Sequence, residues 1–427
     1  MLSVRLLGTT EFKINDSIVP LPAPELLHAL VRLAASDVPI ELKIPDEQGI
    51  FAPYLEKTGE TWRLECASDV LLYRASADNL KMLHQLKADF APNLSQGTAE
   101  FEAWLSQERF LLRQIFLVVL LENAAGLEEN GRLEEANKNL SYVQNEQQKL
   151  EPQFAGLLGL EIAKFHWRRK RILETAQTIE AALPMLEPDV KLEASVNYAA
   201  ALVRLGRLED AVNALETQPS GASRGWTLLH RANALCFLER YPDCLADTEL
   251  AYLEAQKSGD GFLAMSARTV AGEALLQQAI LSGSEPKEAV ISLGQAIGIS
   301  EVLSEEASAL TLAVLAHAHA LWGAKQKALE MAERAYKRAR SAKDSTATIR
   351  ALMSLFAITN IGSFARNALA EARATTHKPL ELRALLLVAK KDNDPSLAQM
   401  ALELAQAQGL PRLEQAAIGL VKKTAHL

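Results

Sequence analysis

The sequence predicts a mainly α fold, a solenoid of helical hairpins preceded by a small α+β domain. Three observations carry this expectation. From Ala99 onward, apolar residues recur at helical spacing. In the same region turn residues punctuate the chain every few tens of residues, and one ten-residue segment restates itself further on. Residues 1 to about 90 instead show short apolar and β-branched runs broken by Gly, Pro and an Asn-Asp pair. At 427 residues the chain exceeds what one ordinary core holds, so it divides. The expected domains are 1–95 for the α+β part and 96–427 for the solenoid.

In the first region Val4, Leu6 and the run Glu11-Phe12-Lys13-Ile14 read as strands around Gly8, and Asn15-Asp16 as a turn before Ile18-Val19. Pro24 suits the first turn of a helix whose Leu26, Leu27, Leu30, Val31 and Ala34 share one face. Pro39, Pro45, Gly49, Pro53 and Gly59 then leave little room for a stable helix. A hairpin is expected from Ile50 to Leu72, turning at Lys57-Thr58-Gly59-Glu60, with Trp62 and Leu64 on one face. A helix from Ala75 to about Ala88 closes the region.

The repeats follow. The segment Gly131-Arg132-Leu133-Glu134-Glu135-Ala136 returns as Gly206-Arg207-Leu208-Glu209-Asp210-Ala211, 75 residues on, or about two periods. Lys149-Leu150-Glu151-Pro152 returns as Met185-Leu186-Glu187-Pro188 after 36 residues. Weaker echoes stand at Glu239-Arg240-Tyr241-Pro242, Pro286-Lys287-Glu288-Ala289 and Gly323-Ala324-Lys325. Each unit reads as helix, short turn, helix. The small residue near the start of the second helix (Ala136, Ala211, Ala289, Ala328) lets the pair approach closely. One hairpin cannot bury both faces, so neighbours stack and leave a groove along the first helices. This pattern resembles tetratricopeptide repeats, with seven or eight units from about 115 to 410 and a capping helix from Leu413 to Lys423.

The opening Met1-Leu2-Ser3-Val4-Arg5-Leu6-Leu7-Gly8, the step Val19-Pro20-Leu21-Pro22 and the segment Phe101-Glu102-Ala103-Trp104-Leu105 resemble bacterial transcriptional activators of the antibiotic-regulatory type. So does a wing-like pattern of Gly59, Trp62, Leu64, Asp69 and Val70. The resemblance covers roughly residues 1 to 215. It implies a winged helix followed by a bacterial transcriptional activator domain, and hence transcription control. A winged helix places two further helices between the first helix and the wing. This chain offers 24 residues there, Asp37 to Glu60, interrupted by three prolines. The expected domain is therefore a reduced, degenerate winged helix without its recognition helix. Residues 1–95 carry 9 Lys/Arg against 13 Asp/Glu, a net of −4, the wrong sign for a DNA reader.

Composition narrows the function classes. Apolar residues make up 49% and charged residues 23%, which argues against wholesale disorder. The net charge of −8 disfavours non-specific binding to nucleic acid. No apolar run reaches the ~18 residues of a bilayer span, so no membrane partner is expected. Three cysteines without a C-x-x-C motif read as reduced thiols of a cytoplasmic protein. There is no phosphate-binding G-x-x-x-x-G-K-[ST], no H-E-x-x-H and no G-x-S-x-G. No catalytic residue, cofactor or metal site is expected.

His317 and His319, two apart on a helix, project to different sides and read as structural. Cys236 and Cys244 lie on successive helices and read as small core residues. Trp226 and Trp322 are expected to fill the core. Asn197 and Asn233 on first helices are candidate contacts to a peptide backbone. The cluster Arg168, Arg169, Lys170 and Arg171 could hold an acidic peptide or a phosphate, or be a solvated hairpin turn, since it aligns with the Gly131 and Gly206 turns. A stripe of Arg334, Lys337, Arg338, Arg340 and Lys343 alternating with alanines reads as an exposed helix face. The leading expectation is a non-enzymatic interaction protein of bacterial gene regulation that binds a protein or peptide in the helical groove. The alternative is a DNA-binding regulator touching DNA through Lys57 and Arg63. The oligomeric state and any small-molecule effector stay open.

Overall fold

The computed structural model describes residues 1–6, 10–36, 39–44, 48–68, 94, 98–216, 223–303 and 308–424. Two compact units divide the chain, Met1–Glu151 and Pro152–Leu427. The helix expected from Ala75 to Ala88 lies outside the described residues, as do Asp69 and Val70 of the wing-like pattern.

The first unit opens on a four-stranded sheet. Strands β1 (Leu2–Arg5), β2 (Glu11–Ile14) and β3 (Ser17–Val19) form an antiparallel meander, turning at Asn15 and Asp16, both at positive φ. Alternation puts Leu2, Val4 and Phe12 on the inner face, where they are buried with Leu6. Helix α1 (Pro24–Ala34) starts with its proline in the first turn and buries Leu26, Leu27, Leu30, Val31 and Ala34. Between α1 and the next hairpin, the described residues hold only a short β4 (Ile40–Glu41) and a 3₁₀ turn (Gly49–Tyr54). That turn buries Phe51 edge-on against Phe12, with ring centroids 5.5 Å apart. Strands β5 (Leu55–Thr58) and β6 (Thr61–Leu64) make the expected hairpin, with Gly59 left-handed in its turn. A two-residue β7 (Ala67–Ser68) pairs parallel to β1.

Helix α2 (Ala99–Glu129) is capped by the Thr98 hydroxyl, which accepts from the Phe101 amide. Its first turns pack on α1. The Phe101 ring stacks on His28 at 3.9 Å, and Arg32 lies 3.1 Å from Glu100 and 5.8 Å from the Trp104 ring. By length and composition α2 is the one described helix apolar enough to cross a membrane, although Arg113 and Glu122 interrupt its apolar stretch, so the sequence holds no uninterrupted apolar run of that length there. It buries Phe116, Leu117, Leu120 and Leu121, and it pairs with α3 (Leu133–Gln147) through Arg113–Glu146 and Asn123–Asn139.

The second unit is a tetratricopeptide-like α-solenoid. Its hairpins are α4 (Pro152–Arg168) with α5 (Ile172–Ala182), α6 (Pro188–Leu205) with α7 (Leu208–Asn213), and α8 (Ser223–Phe237) with α9 (Tyr241–Ser258). Then come α10 (Gly261–Ser282) with α11 (Lys287–Val302), and α12 (Ala309–Leu321) with α13 (Lys325–Ser341). Last are α14 (Ser345–Thr359) with α15 (Gly362–Ala374), α16 (Lys378–Asp392) with α17 (Pro395–Ala407), and a capping helix α18 (Pro411–Thr424). One turn geometry recurs inside the hairpins. A left-handed residue is followed by an amide that donates back to a carbonyl five residues earlier, as in Arg171 to His166, Arg207 to Leu202, Arg240 to Leu235 and Ala324 to His319. The left-handed residue is Gly206 or Gly323 in two of these turns but Lys170 or Glu239 in the others, so the repeat persists where its glycine signature is lost. The small residues expected at close helix approaches are buried: Ala136 in the first unit, and Ala211, Ala289 and Ala328 here.

Candidate functional site

In the second unit, four successive first helices turn one face each toward a common cavity of about 340 Å³. Helix α10 contributes Glu273, Gln277 and Ile280, and α12 contributes Val314, His317 and Leu321. From α14 come Arg350, Met353 and Ala357, and from α16 Arg383, Leu386 and Leu387. Spacings of three, four and seven put each set on one side of its helix. Glu239, from the turn between α8 and α9, and Leu413 of α18 also line it.

The expected groove is narrowed here because the inner faces meet. Helix α16 packs against α6, and Phe237 at the end of α8 lies 5.7 Å from the Arg350 guanidinium and 5.2 Å from that of Arg383. His377, next to α16, sits 5.6 Å from the same ring. Ala201, Ala232, Ala234 and Ala384 are fully buried in one core cluster with Phe237, and their small side chains let these helices pack closely.

The polar side of the cavity is a buried charge cluster. Glu273 accepts from Arg350 Nη2 and from Arg383 Nη1, the latter at 3.3 Å. These residues are 9%, 7% and 8% exposed respectively. Burial, with the Arg383 charge beside it, pulls Arg350 down to about 9, so it stays protonated at neutral pH. Burial raises the Glu239 carboxyl against the pull of Arg383 and Arg412, and its Oε2 is buried without a hydrogen-bond partner. His317, partly buried in the cavity wall, is lowered by burial to about 4 and is neutral at pH 7.

At the turn end of the same helices the surface is apolar. Ile280 and Leu321 reach from the cavity to solvent, and Leu281, Trp322 and Ile361 continue the exposed row along successive hairpins. Trp322 was expected in the core; it caps the C-terminus of α12, where the chain leaves the packed face, and is 44% exposed. Trp226 is likewise half-exposed near the start of α8, donating from Nε1 to Asp260 at 3.0 Å.

The other sequence candidates lie elsewhere. Asn197 is exposed on α6 and Asn233 half-buried on α8, and neither lines the cavity. Arg168, Arg169, Lys170 and Arg171 form the turn between α4 and α5, with Lys170 left-handed and the Arg169 guanidinium 4.7 Å from the Phe165 ring. Lys57 pairs with Trp62 across the β5–β6 hairpin and stacks over its ring at 5.0 Å, while Arg63 pairs with Glu56 on the opposite face. The hairpin does not bring Lys57 and Arg63 together. The Cys236 and Cys244 thiols are free and buried. Among the described residues, no group of three or more His, Cys, Asp and Glu side chains converges as a metal site.

The cluster itself was missed. Its signal was present: Glu273, Arg350 and Arg383 each sit inside a run of small and aliphatic residues, where the helical period asks for a core side chain.

No family model and no curated protein matches the chain. Among solved structures it is similar to a Rap protein complexed with competence and sporulation factor, at 15% identity, covering 81% of this chain and 96% of that one, with a TM-score of 0.49. It is similar to a signal-transduction ATPase with a tetratricopeptide repeat sensor from Pyrococcus horikoshii, at 16% identity and a TM-score of 0.40. That match covers 94% of this chain and 65% of the other. Aspartyl phosphate phosphatase F from Bacillus subtilis is similar at 13% identity, covering 78% of this chain and 86% of that one, with a TM-score of 0.43.

Proposed function

We propose that this chain is a non-enzymatic interaction protein of bacterial gene regulation or signalling that binds a protein or peptide partner through its helical repeats. The observation that carries this reading is a set of exposed large apolar side chains at the ends of successive first helices, Leu281, Leu321 and Trp322, and Ile361 just beyond the next, of which Leu321 also lines the cavity. Large apolar side chains exposed at equivalent places in successive repeats offer regularly spaced anchors to another molecule. Repeat arrays present such surfaces on rigid, regularly spaced elements. Asn197, Asn233 and the Arg168–Arg171 turn are proposed as outlying polar contacts of the same partner. The resemblance of the front half to transcriptional activators supports the regulatory setting.

The test is selection of peptides from a random library on the purified full chain, followed by anisotropy with the selected peptides. A Trp322→Ser, Leu281→Ser double variant is expected to fold as the parent does and to lose at least tenfold in affinity, since both side chains are exposed. Failure to select any peptide, or equal binding by the variant, sinks this reading.

A further inference from the structure

We infer that the cavity of the second unit is a binding site for a small organic acid, with Arg350 and Arg383 clamping its carboxylate and the aliphatic wall holding its body. This goes beyond the partner-binding reading, because it concerns the interior and not the apolar rim.

The first ground is charge. Two guanidiniums, each more than nine-tenths buried, share a single hydrogen-bonded carboxylate, Glu273. A guanidinium out of water is costly to leave short of acceptors, and a carboxylate placed against the pair supplies them. Glu239, the other carboxylate on the cavity, makes no hydrogen bond to either arginine, although it lies close enough for the Arg383 charge to act on it.

The second ground is donor count. A guanidinium carries five N–H donors in a planar fork that matches a carboxylate. Here each side chain gives one nitrogen to Glu273, and among the described residues its other nitrogens have no protein acceptor. Both residues line the cavity, so those unused donors are within reach of whatever enters it.

The third ground is the wall. One turn along the same helices from the cluster stand Leu276, Met353 and Leu386, joined in the lining by Val314 and Leu387, which provide no hydrogen bonds and favour a hydrocarbon body. A volume of about 340 Å³ admits a small molecule or the end of a peptide. Glu239 Oε2, buried and unpartnered, offers an acceptor to a donor group on the ligand. The chemistry is therefore a carboxylate on an apolar body, carried by a free acid or by a peptide terminus.

Isothermal titration of the full chain with four probes tests this. They are octanoate, octanol, a leucine dipeptide and its C-terminal amide. At least one acid is expected to bind tenfold or more tightly than its uncharged counterpart, and the tighter acid identifies the source. Arg383→Met is expected to erase that preference. Met353→Trp, which fills the cavity and leaves the charge cluster intact, is expected to abolish binding of both acids. Parity between the acids and their uncharged counterparts overturns the assignment, as does acid binding that persists unchanged in Met353→Trp. The second variant keeps the test decisive if Arg383→Met fails to fold. Loss of peptide selection by the rim double variant, with octanoate binding retained, would separate this site from the partner surface.

Discussion

At the scale of single residues, the second unit stores its polar chemistry in places where the sequence period asks for apolar side chains. His317 is the clearest titrating case. Burial holds its folded-state pKa near 4, while an unfolded chain returns it to about 6.5. A histidine with a depressed folded pKa binds its proton in the unfolded state first. Its contribution is therefore fully present above pH 6.5 and is lost progressively as the pH falls toward 4. His377, which burial and the Arg204, Arg350 and Arg383 charges hold well below the usual range, acts in the same direction. The expected outcome is acid destabilisation across pH 6.5 to 4, at a slope of up to about 1.4 kcal/mol per pH unit for each such histidine. Urea unfolding at several pH values should show a shallower slope for His317→Phe than for the parent. Identical slopes would mean that His317 is solvated in the folded protein.

The helical hairpin is the element that the sequence declares most openly, and the reason is steric. Two packed helices can approach closely only where one offers a small side chain, so alanine marks the contact. On α13, Ala328, Ala332, Ala335 and Ala339 are all fully buried, while Arg334, Lys337 and Arg340 point outward, as their alternation suggests. Ala328→Leu adds three carbons at the contact with α12 and is expected to lower stability by about 1–3 kcal/mol. Lys327→Ala, one residue away on the exposed side, is expected to stay within about 0.5 kcal/mol. Thermal melts of both variants check this, and equal midpoints would show that the α12–α13 contact has slack. Other features were illegible for equally physical reasons. The turns at Lys170 and Glu239 adopt the left-handed conformation without glycine, so their punctuation is faint. The charge cluster joins Glu273 to Arg350, 77 residues away, and to Arg383, 110 residues away, and no local pattern encodes such a meeting. The rim tryptophan Trp322 shows the same limit, since its helical period fits the core and only its position at the end of α12 exposes it.

At the scale of the whole molecule, charge is the property on which the two functional alternatives make different predictions. Binding to duplex DNA is dominated by cations that neutralise phosphates, and each contact steepens the salt dependence by about 0.9 in log–log slope. This chain carries a net −8, and the two cations proposed for DNA contact occupy opposite faces of one hairpin. Lys57 is further engaged with the Trp62 ring, and Arg63 faces Glu56 across the ladder. A single face of that hairpin therefore offers at most one of the two cations to a phosphate backbone. The described residues between α1 and β5 supply a two-residue strand and a 3₁₀ turn, so they present no α-helix to a major groove. The expected outcome of fluorescence anisotropy with random duplex DNA is no micromolar binding at 150 mM salt, and at most a weak, shallow dependence below it. Micromolar affinity that falls steeply with salt would require several phosphate contacts, and would return the DNA-binding regulator to first place ahead of the partner-binding solenoid.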